Sequence, residues 1–341
     1  MHSAKKIIFG APEDFGFSNA IKNELTALGY QVIDVSKINN EFKYPNISAR
    51  AYNFYRKVFF NDKSYKALIR SETITKNLVN HLNNINENCY SLFIRPDLFP
   101  LAFFNYLKKK HINLIAYHWD GMKRYPNINE YIKCFDKFYS FEPEDLTDNK
   151  DLLPCTNFYL TSSLPKKETS LQSMAYTINS FQNDRINISF KIKSILEKVG
   201  INSNFIVFTK NKIEYTRSKA LGFKTTKKTI TYEQNINHVL LSNLLIDIQI
   251  NSQSGLSFRI FESIGYNKKI ITTNKDVCKY DFYNPNNILI WDNQSESKLL
   301  NFYNKPYEIV PKAIKQKYSF ENWIKYVLNI EDHIPINLPK S

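Results

Sequence analysis

Residues 254–274, SGLSFRIFESIGYNKKIITTN, predict the fold more clearly than any other part of the chain. They follow an apolar run at residues 245–250 and begin with a small, polar loop that contains Gly255. Apolar residues then recur at helical spacing, and a second apolar run covers residues 269–272. A strand, a tight loop, a helix and a strand in this order indicate a parallel βαβ unit.

The same alternation recurs in both halves of the chain. Residues 5–10, KKIIFG, are predicted as a buried strand, followed by a helix that Ser18 caps. The further strands are predicted at residues 31–35, 90–95, 112–118, 137–141, 174–178, 204–209, 229–232, 245–250, 269–272 and 288–291. Two doubly wound α/β domains in series would place a cleft between the carboxyl ends of their strands.

A polar segment that contains proline, residues 160–170, separates the two runs of alternation and is predicted as a linker. We therefore expect an N-terminal domain at residues 1–160 and a C-terminal domain at residues 171–310. Residues 311–341 are predicted as a terminal helix and tail, because apolar residues recur at helical spacing around Trp323. A chain of 341 residues with 43% hydrophobic content is large enough for two such cores.

The chain is basic, with 46 Lys and Arg against 32 Asp and Glu and a net charge of +14. Such a surface can attract nucleic acid, anionic lipid or a phosphorylated ligand, although compositional drift in a chain rich in Asn, Lys and Ile gives the same excess. The basic residues are dispersed and form no long stripe with interleaved aromatic residues. We therefore expect no nucleic-acid partner.

The cysteines and the apolar runs indicate the cellular compartment of the protein. The four cysteines are far apart and form no CxxC pair, which argues against a zinc site or a disulfide framework. The first residues do not resemble a signal peptide, and no apolar run approaches the roughly 18 residues that span a bilayer. A cytoplasmic protein is expected, with peripheral contact to the anionic inner membrane as a further possibility.

The stretch at 254–274 also suits a phosphorylated ligand. Gly255 permits a tight turn, and Ser257 is placed to cap the helix. A helix N-terminus attracts a diphosphate, and Arg259 in the first turn can add a bidentate contact. Glu262 lies on the same helix face, where it can accept hydrogen bonds from ribose hydroxyls. The alternative interpretation is that Arg259 and Glu262 form an ordinary structural ion pair, because such a pair has the same spacing along a helix.

These residues resemble the donor-binding signature of GT-B glycosyltransferases, in which a loop of small residues precedes a helix with R-x-x-E-x-[LI]-[AG] and a strand of the type K-[LIV]-I-x-T. The chain looks most like the CgeB-like branch and the branch of lipopolysaccharide or capsule biosynthesis. Three segments carry this likeness further: YHWDGMKRYP at 117–126, FDKFYSFEPED at 135–145 and KYDFYNPNNILI at 279–290. The resemblance implies an α/β fold of the GT-B type, in which two Rossmann-like doubly wound domains face a central cleft and the terminal helix packs back across them.

The resemblance implies sugar transfer from a nucleotide sugar to a surface glycan or lipid-linked glycan, without a cofactor. Lys210 is a second candidate for binding the phosphates, unless it is a solvated loop lysine. Family analogy places the nucleotide base near residues 230–232. The predicted donor-binding residues are Lys210, Tyr232, Ser254, Gly255, Leu256, Ser257, Arg259 and Glu262.

Two departures from related enzymes bear on the mechanism. Ser254 stands where many retaining members of the family carry a glutamate, eight positions before the helix glutamate, so an inverting reaction is expected. The chain has no D-x-D motif of the kind that holds a divalent metal on the diphosphate. With Arg259 and a helix N-terminus available, we expect metal-independent stabilisation of the leaving group.

An inverting transferase needs a carboxylate or histidine to deprotonate the acceptor hydroxyl. Asp120 and His118 lie at the end of a predicted strand, and Glu13 and Asp14 lie in the loop after the first strand. Each has a structural alternative, namely a turn residue, a loop or capping carboxylate, or a histidine of the core. A nucleotide-sugar epimerase on the same fold and a basic nucleic-acid-binding module are the alternative functions.

Overall fold

The computed structural model describes residues 5–38, 42–83, 85, 89–161, 174–250 and 253–339. Within these ranges the chain forms two parallel sheets of six strands each, with helices packed on both faces. The strands of the first sheet are β1 (Lys5–Gly10), β2 (Tyr30–Asp34), β3 (Cys89–Ile94), β4 (Ile115–His118), β5 (Lys137–Ser140) and β6 (Leu152–Pro154). Those of the second sheet are β7 (Met174–Ser180), β8 (Asn202–Phe208), β9 (Lys224–Thr226), β10 (Leu244–Asp247), β11 (Lys269–Thr272) and β12 (Ile288–Ile290).

The helices follow the strands in regular alternation. They are α1 (Phe17–Ala27), α2 (Ile47–Phe59), α3 (Ser64–His81), α4 (Leu101–Lys109), α5 (Asn129–Ile132), α6 (Pro143–Asp148), α7 (Asn183–Lys198), α8 (Lys212–Ala220), α9 (Tyr232–Leu241), α10 (Phe258–Gly265), α11 (Glu296–Asn304), α12 (Lys312–Lys317) and α13 (Phe320–Leu328). None of the helices in the described ranges is long and apolar enough to cross a bilayer.

Both sheets have the doubly wound topology that the alternation predicts. The first has the strand order β2-β1-β3-β4-β5-β6, and the second has the order β12-β11-β10-β7-β8-β9. The order reverses beside the first strand of each sheet, between β1 and β3 and between β7 and β10. Loops diverge at such a switch point and leave a crevice at the carboxyl ends of the strands.

Each sheet is buried on both faces because its strands are apolar at successive positions. Ile7 belongs to the core cluster on one face of the first sheet and Ile8 to the cluster on the other. Ile270 and Ile271 divide in the same way between the two faces of the second sheet. Residues alternate between the faces of a strand, so a run of apolar residues is the expected signature of a central parallel strand.

The terminal helix α13 lies against the first sheet although it follows the second in the chain. The indole Nε1 of Trp323 donates to the backbone oxygen of Thr156 at 2.9 Å, and the Trp323 ring lies 5.0 Å from that of Tyr117. The hydroxyl of Tyr139 donates to the backbone oxygen of Val327 at 3.3 Å.

The domain bounds at 160 and 171 stay a prediction, since residues 162–173 of the linker region lie outside the described residues.

Three local predictions differ from the structure. The strand expected at 229–232 is absent from that described segment; β9 lies earlier, and Thr231 instead begins α9 with a capping box that Gln234 completes. The first helix starts at Phe17 with Gly16 at its N-cap position, so Ser18 does not cap it. The short strand β6 was not predicted, because it has only three residues and ends in a proline.

Candidate functional site

A cleft of about 540 Å³ lies between the two domains, at the carboxyl ends of the strands. Residues after β1 and β4 line it on one side, and residues from the ends of β7, β8 and β10 and the start of α10 line it on the other. Ligands bind at this edge in doubly wound sheets, so the topology alone makes it the candidate site.

Three arginines from different elements line this cleft: Arg124 after β4, Arg185 in the first turn of α7 and Arg259 in the first turn of α10. Arg185 Nε donates to the backbone oxygen of Ile248 at 2.8 Å. Burial lowers the pKa of Arg185; the nearby Asp247 opposes this shift, whereas the charge of Arg124 adds to it. Guanidinium groups that repel each other across a cleft are well placed to bind an anion between them.

Neither Arg124 nor Arg185 is among the site residues predicted from the sequence. The signal for Arg124 was weak, since it lies in a loop four residues after Asp120. Arg185 lies in the first turn of the helix that follows the first strand of the second sheet. This is the usual place for a phosphate contact in a Rossmann-like domain. Only the packing of the two sheets brings the two side chains together.

Arg259 and Glu262 both line the cleft and form an ion pair, with 2.9 Å between Arg259 Nη1 and Glu262 Oε2. Arg259 Nη2 donates to Asn235 Oδ1 at 2.9 Å. Burial raises the pKa of Glu262, and the charge of Arg259 opposes this shift. The hydroxyl of Tyr232, another predicted residue that lines the cleft, interacts with the same carboxylate. Thus three predicted donor-binding residues are adjacent in the structure.

The loop before α10 is held by the other domain. The backbone nitrogens of Ser254 and Gly255 donate to the carboxylate of Glu142, at 2.9 and 3.1 Å from Oε1, and the Ser254 hydroxyl donates to the same oxygen. A Cβ atom on Gly255 would lie 2.6 Å from the backbone oxygen of Phe141. The glycine therefore allows close contact between the domains, and these two amides face a carboxylate of the protein rather than the open cleft.

The next two residues also have structural partners. The backbone oxygen of Leu256 accepts from Asn157 Nδ2 at 2.9 Å, and the Leu256 side chain is buried. Ser257 lies at the N-cap position, but its hydroxyl donates to Asp247 Oδ1 at 2.7 Å and makes no capping hydrogen bond. The expected cap is thus absent at this described helix start, since the nearby carboxylate competes for the hydroxyl. Ser257 lines the cleft, whereas Ser254, Gly255 and Leu256 do not.

Asp120 lines the cleft from the N-terminal domain and is surrounded by donors. Its Oδ1 accepts from Arg124 Nη1 at 2.6 Å and from Gln253 Nε2 at 3.2 Å. Its Oδ2 lies 3.5 Å from Arg95 Nη1. Two guanidinium groups and an amide therefore fix the orientation of the carboxylate, and the side chain remains 18% exposed.

His118 is fully buried and does not line the cleft. Its Nδ1 contacts the backbone oxygen of Asp120, and its Nε2 has no hydrogen-bond partner among the described residues. Burial lowers the pKa of His118 from the ordinary 6.5 to about 4; the nearby Asp97 charge opposes this shift. A buried, neutral imidazole supports the position of Asp120 but does not reach an acceptor in the cleft.

This buried histidine should make the stability of the protein depend on pH. Because its pKa is lowered on folding, its contribution to stability is present above about pH 6.5 and is lost as the pH falls towards 4. The loss should amount to about 3 kcal/mol of unfolding free energy. In His118→Asn, urea unfolding between pH 7 and pH 4 should show a flatter dependence than in the wild type.

The exposed His111 supplies the control, since His111→Asn should leave the wild-type pH dependence unchanged. Equal slopes for the wild type and His118→Asn would contradict the assignment of a buried neutral imidazole.

Two of the remaining predicted residues, Glu13 and Lys210, do not line the cleft. Glu13 is exposed in the loop after β1, and Lys210 is exposed in the loop after β8. Asp14 lies in a short turn of 3-10 helix, and its side chain lies outside the described residues. Among the predicted bases, Asp120 is the residue whose described side chain reaches the cleft.

Aromatic rings form the remaining wall of the cleft. The Phe17 ring lies 5.4 Å from that of Trp119 and 4.8 Å from that of Phe258. Phe15 is 50% exposed and meets Phe208 edge to face at 6.4 Å between centroids. Such rings offer flat apolar faces to the planar base of a nucleotide or to the C–H face of a sugar.

No protein-family model matches the chain, and no curated protein is similar to it in sequence. Similarity is found among solved structures. The apo structure of OtsA superposes with a TM-score of 0.50 at 10% identity, over 98% of this chain and 100% of that one. The fold is GT-B. It consists of two Rossmann-like domains that face a central cleft.

Two further solved structures superpose less closely. They are the apo form of the lipopolysaccharide outer core galactosyltransferase WaaB (TM-score 0.47, 11% identity, 95% of this chain and 98% of that one) and S. aureus MnaA with UDP (TM-score 0.49, 10% identity, 98% and 100%). At these identities the likeness concerns the GT-B fold alone.

Proposed function

We infer that the chain is a glycosyltransferase that moves a sugar from a nucleotide-sugar donor to a surface glycan of the lipopolysaccharide or capsule type. The observation that carries the proposal is the convergence of Arg124, Arg185 and Arg259 on one cleft between two Rossmann-like domains. A nucleoside diphosphate has the charge that such a cluster binds, and the GT-B fold has its ligand crevice in this place. The likeness of residues 254–274 to the donor signature of this fold is the second support.

The donor is proposed to lie along the second domain. Its diphosphate would bind between Arg124 and Arg185, close to the N-terminal turns of α7 and α10, where free N–H groups favour an anion. Glu262 accepts from Arg259, but a carboxylate offers about four acceptor positions and retains capacity for the ribose hydroxyls. The Ser254, Gly255 and Leu256 backbone supports this site from behind, because Glu142 and Asn157 hold it.

The reaction is proposed to be inverting and independent of metal. Charge that develops on the leaving diphosphate would be stabilised by guanidinium groups that the fold already orients. Asp120 lies on the opposite wall of the cleft, in the N-terminal domain, where it can accept the proton of an acceptor hydroxyl. Its partners Arg124 and Gln253 hold the carboxylate in place before the acceptor arrives.

The acceptor is proposed to enter from the side of the N-terminal domain, along the aromatic wall at Phe15, Phe17 and Trp119. Sugar rings pack on aromatic faces, so this wall suits a glycan or a lipid-linked glycan. Access to a lipid-linked acceptor would require contact with the membrane, which the excess of basic residues favours.

The test is a screen of nucleotides and nucleotide sugars against the full chain. A nucleoside diphosphate at about 100 times its dissociation constant should stabilise the protein by about 2.7 kcal/mol, and a single-stranded oligonucleotide should not. Incubation with the sugar nucleotide that binds should then yield a glycoside or a free sugar of inverted configuration by NMR. Stabilisation by the oligonucleotide alone would replace the proposal with a nucleic-acid-binding module, and an isomerised sugar nucleotide would replace it with an epimerase.

A further inference from the structure

A helical hairpin of the N-terminal domain carries large apolar side chains into solvent. It comprises residues 42–70, which cover α2 and the first turns of α3 and are called the basic hairpin below. Within residues 42–70, all of which are described, Ala49 is the only buried residue. The hairpin therefore contributes little to the core of the domain, and its apolar residues are not explained by folding.

The apolar face of α2 points away from the protein. Ile47, Phe54 and Val58 lie on one face of the helix by their spacing, and they are 86%, 66% and 56% exposed. The buried Ala49 lies on the opposite face. A surface helix normally turns its apolar face to the core, so this inverted arrangement is typical of an interaction surface.

The hairpin is held in a defined shape in spite of its exposure. The rings of Tyr52 in α2 and Tyr65 in α3 meet edge to face at 4.8 Å, and the Arg56 guanidinium lies 5.5 Å from the Tyr65 ring. Arg56 also pairs with Asp62 in the turn between the helices. The later turns of α3 are anchored in the domain core by Ile74 and Leu78. The apolar face is thus presented by an ordered element.

The charge of the hairpin indicates what covers this face. It contains seven basic residues and one acidic residue, Asp62; the basic residues are Lys43, Arg50, Arg56, Lys57, Lys63, Lys66 and Arg70. Arg50 and Lys57 are exposed and lie beside the apolar face. Cationic side chains that flank an apolar helix face are typical of helices that lie in the interface of an anionic bilayer. A second copy of the chain would bring the same positive charges together and is disfavoured.

We propose that the basic hairpin docks the protein on an anionic lipid bilayer, with Phe54 and Val58 entering the boundary between headgroups and acyl chains. The hairpin follows β2, the edge strand of the first sheet. The binding of lipid needs neither a donor nor an acceptor, and it stands even if the proposed sugar transfer fails.

The test is co-sedimentation of the full chain with two kinds of vesicle, one of phosphatidylcholine and one of phosphatidylcholine and phosphatidylglycerol in equal parts. The wild type should bind the anionic vesicles and not the neutral ones, and added salt should weaken the binding. Phe54→Ser with Val58→Ser should lower the partition coefficient about tenfold or more, since two apolar side chains leave the interface. Arg50→Glu with Lys57→Glu should cause a similar loss.

Matched control variants lie on the C-terminal domain. Ile213 and Ile309 are 79% and 75% exposed, so Ile213→Ser with Ile309→Ser removes as much exposed apolar surface elsewhere. Lys212→Glu with Lys298→Glu is the corresponding control for charge. Both controls should bind the anionic vesicles as the wild type does.

Three results would overturn the proposal. The first is a wild type that binds neither kind of vesicle, and the second is an equal loss of binding in the hairpin and control variants. The third is self-association of the wild type in analytical ultracentrifugation that Phe54→Ser with Val58→Ser abolishes, because the face would then be an interface between copies. Circular dichroism and thermal melting of each variant separate lost binding from lost folding.

Discussion

Replacement of Asp120 by asparagine is expected to lower the rate of sugar transfer about 10²–10⁴-fold and to leave nucleotide affinity nearly unchanged. Asparagine keeps the shape of the side chain and one oxygen that accepts from Arg124 and Gln253, but it cannot take a proton from the acceptor. Single-turnover transfer with a bound sugar nucleotide measures the rate, and titration calorimetry with the nucleoside diphosphate measures the affinity.

A second variant distinguishes a base from a residue that only positions Arg124. If Asp120 acts by orienting Arg124 on the diphosphate, Asp120→Asn and Arg124→Gln should both weaken binding of the nucleoside diphosphate. If Asp120 is the base, only Arg124→Gln should do so. Glu144→Gln, at a carboxylate that is 58% exposed in the same domain, should change neither quantity. Transfer at the wild-type rate in Asp120→Asn would rule the base out.

Replacement of Glu262 by glutamine is expected to weaken nucleoside diphosphate binding about 10–100-fold, since a hydrogen bond to a charged group contributes about 1.5–3 kcal/mol. Glutamine preserves the size of the buried side chain, whereas alanine would also leave a cavity beside Arg259. Calorimetric titration gives the affinity. The exposed Glu233→Gln on the same domain is the control and should bind the nucleotide as the wild type does.

The ion pair with Arg259 offers a competing explanation for such a loss, because glutamine would release that guanidinium. A nucleotide that lacks the 2′-hydroxyl separates the two effects in a double cycle. If Glu262 binds the ribose, removal of the hydroxyl should weaken binding to the wild type and have little effect on Glu262→Gln. An equal penalty in both proteins would leave Glu262 with a structural role only.

Local patterns sufficed for much of the fold. The apolar runs within Lys5–Gly10 and Lys269–Thr272 coincide with β1 and β11, since a strand buried on both faces is apolar at successive central positions. The adjacency of Arg259 and Glu262 follows from their spacing on one helix. The prediction of a strand at 229–232 was wrong because Thr231 and Gln234 form a capping box, which marks the start of a helix. The β-branched residues of this segment favour a strand and obscured that signal.

The chemical surroundings of the candidate site depend on contacts that no local pattern contains. Glu142 accepts hydrogen bonds from the backbone of Ser254 and Gly255, which lie 112 and 113 residues away in the chain. Amides that the local sequence makes available for a diphosphate therefore join the two domains instead. His118 is likewise buried and does not line the cleft, although its spacing of two residues from Asp120 predicts that both side chains lie on the same face of a strand.

The sequence by itself determined most of the alternation of strands and helices, the presence of two doubly wound α/β domains and the helix that carries Arg259 and Glu262. Those features arise from periodicity and from spacings of a few residues, which the backbone converts directly into structure. Only the tertiary structure decided that Arg124 and Arg185 face the same cleft and that Ser254 and Gly255 face Glu142. Such contacts depend on how the sheets are ordered and how the domains meet, because residues far apart in the chain become neighbours only when the cores pack.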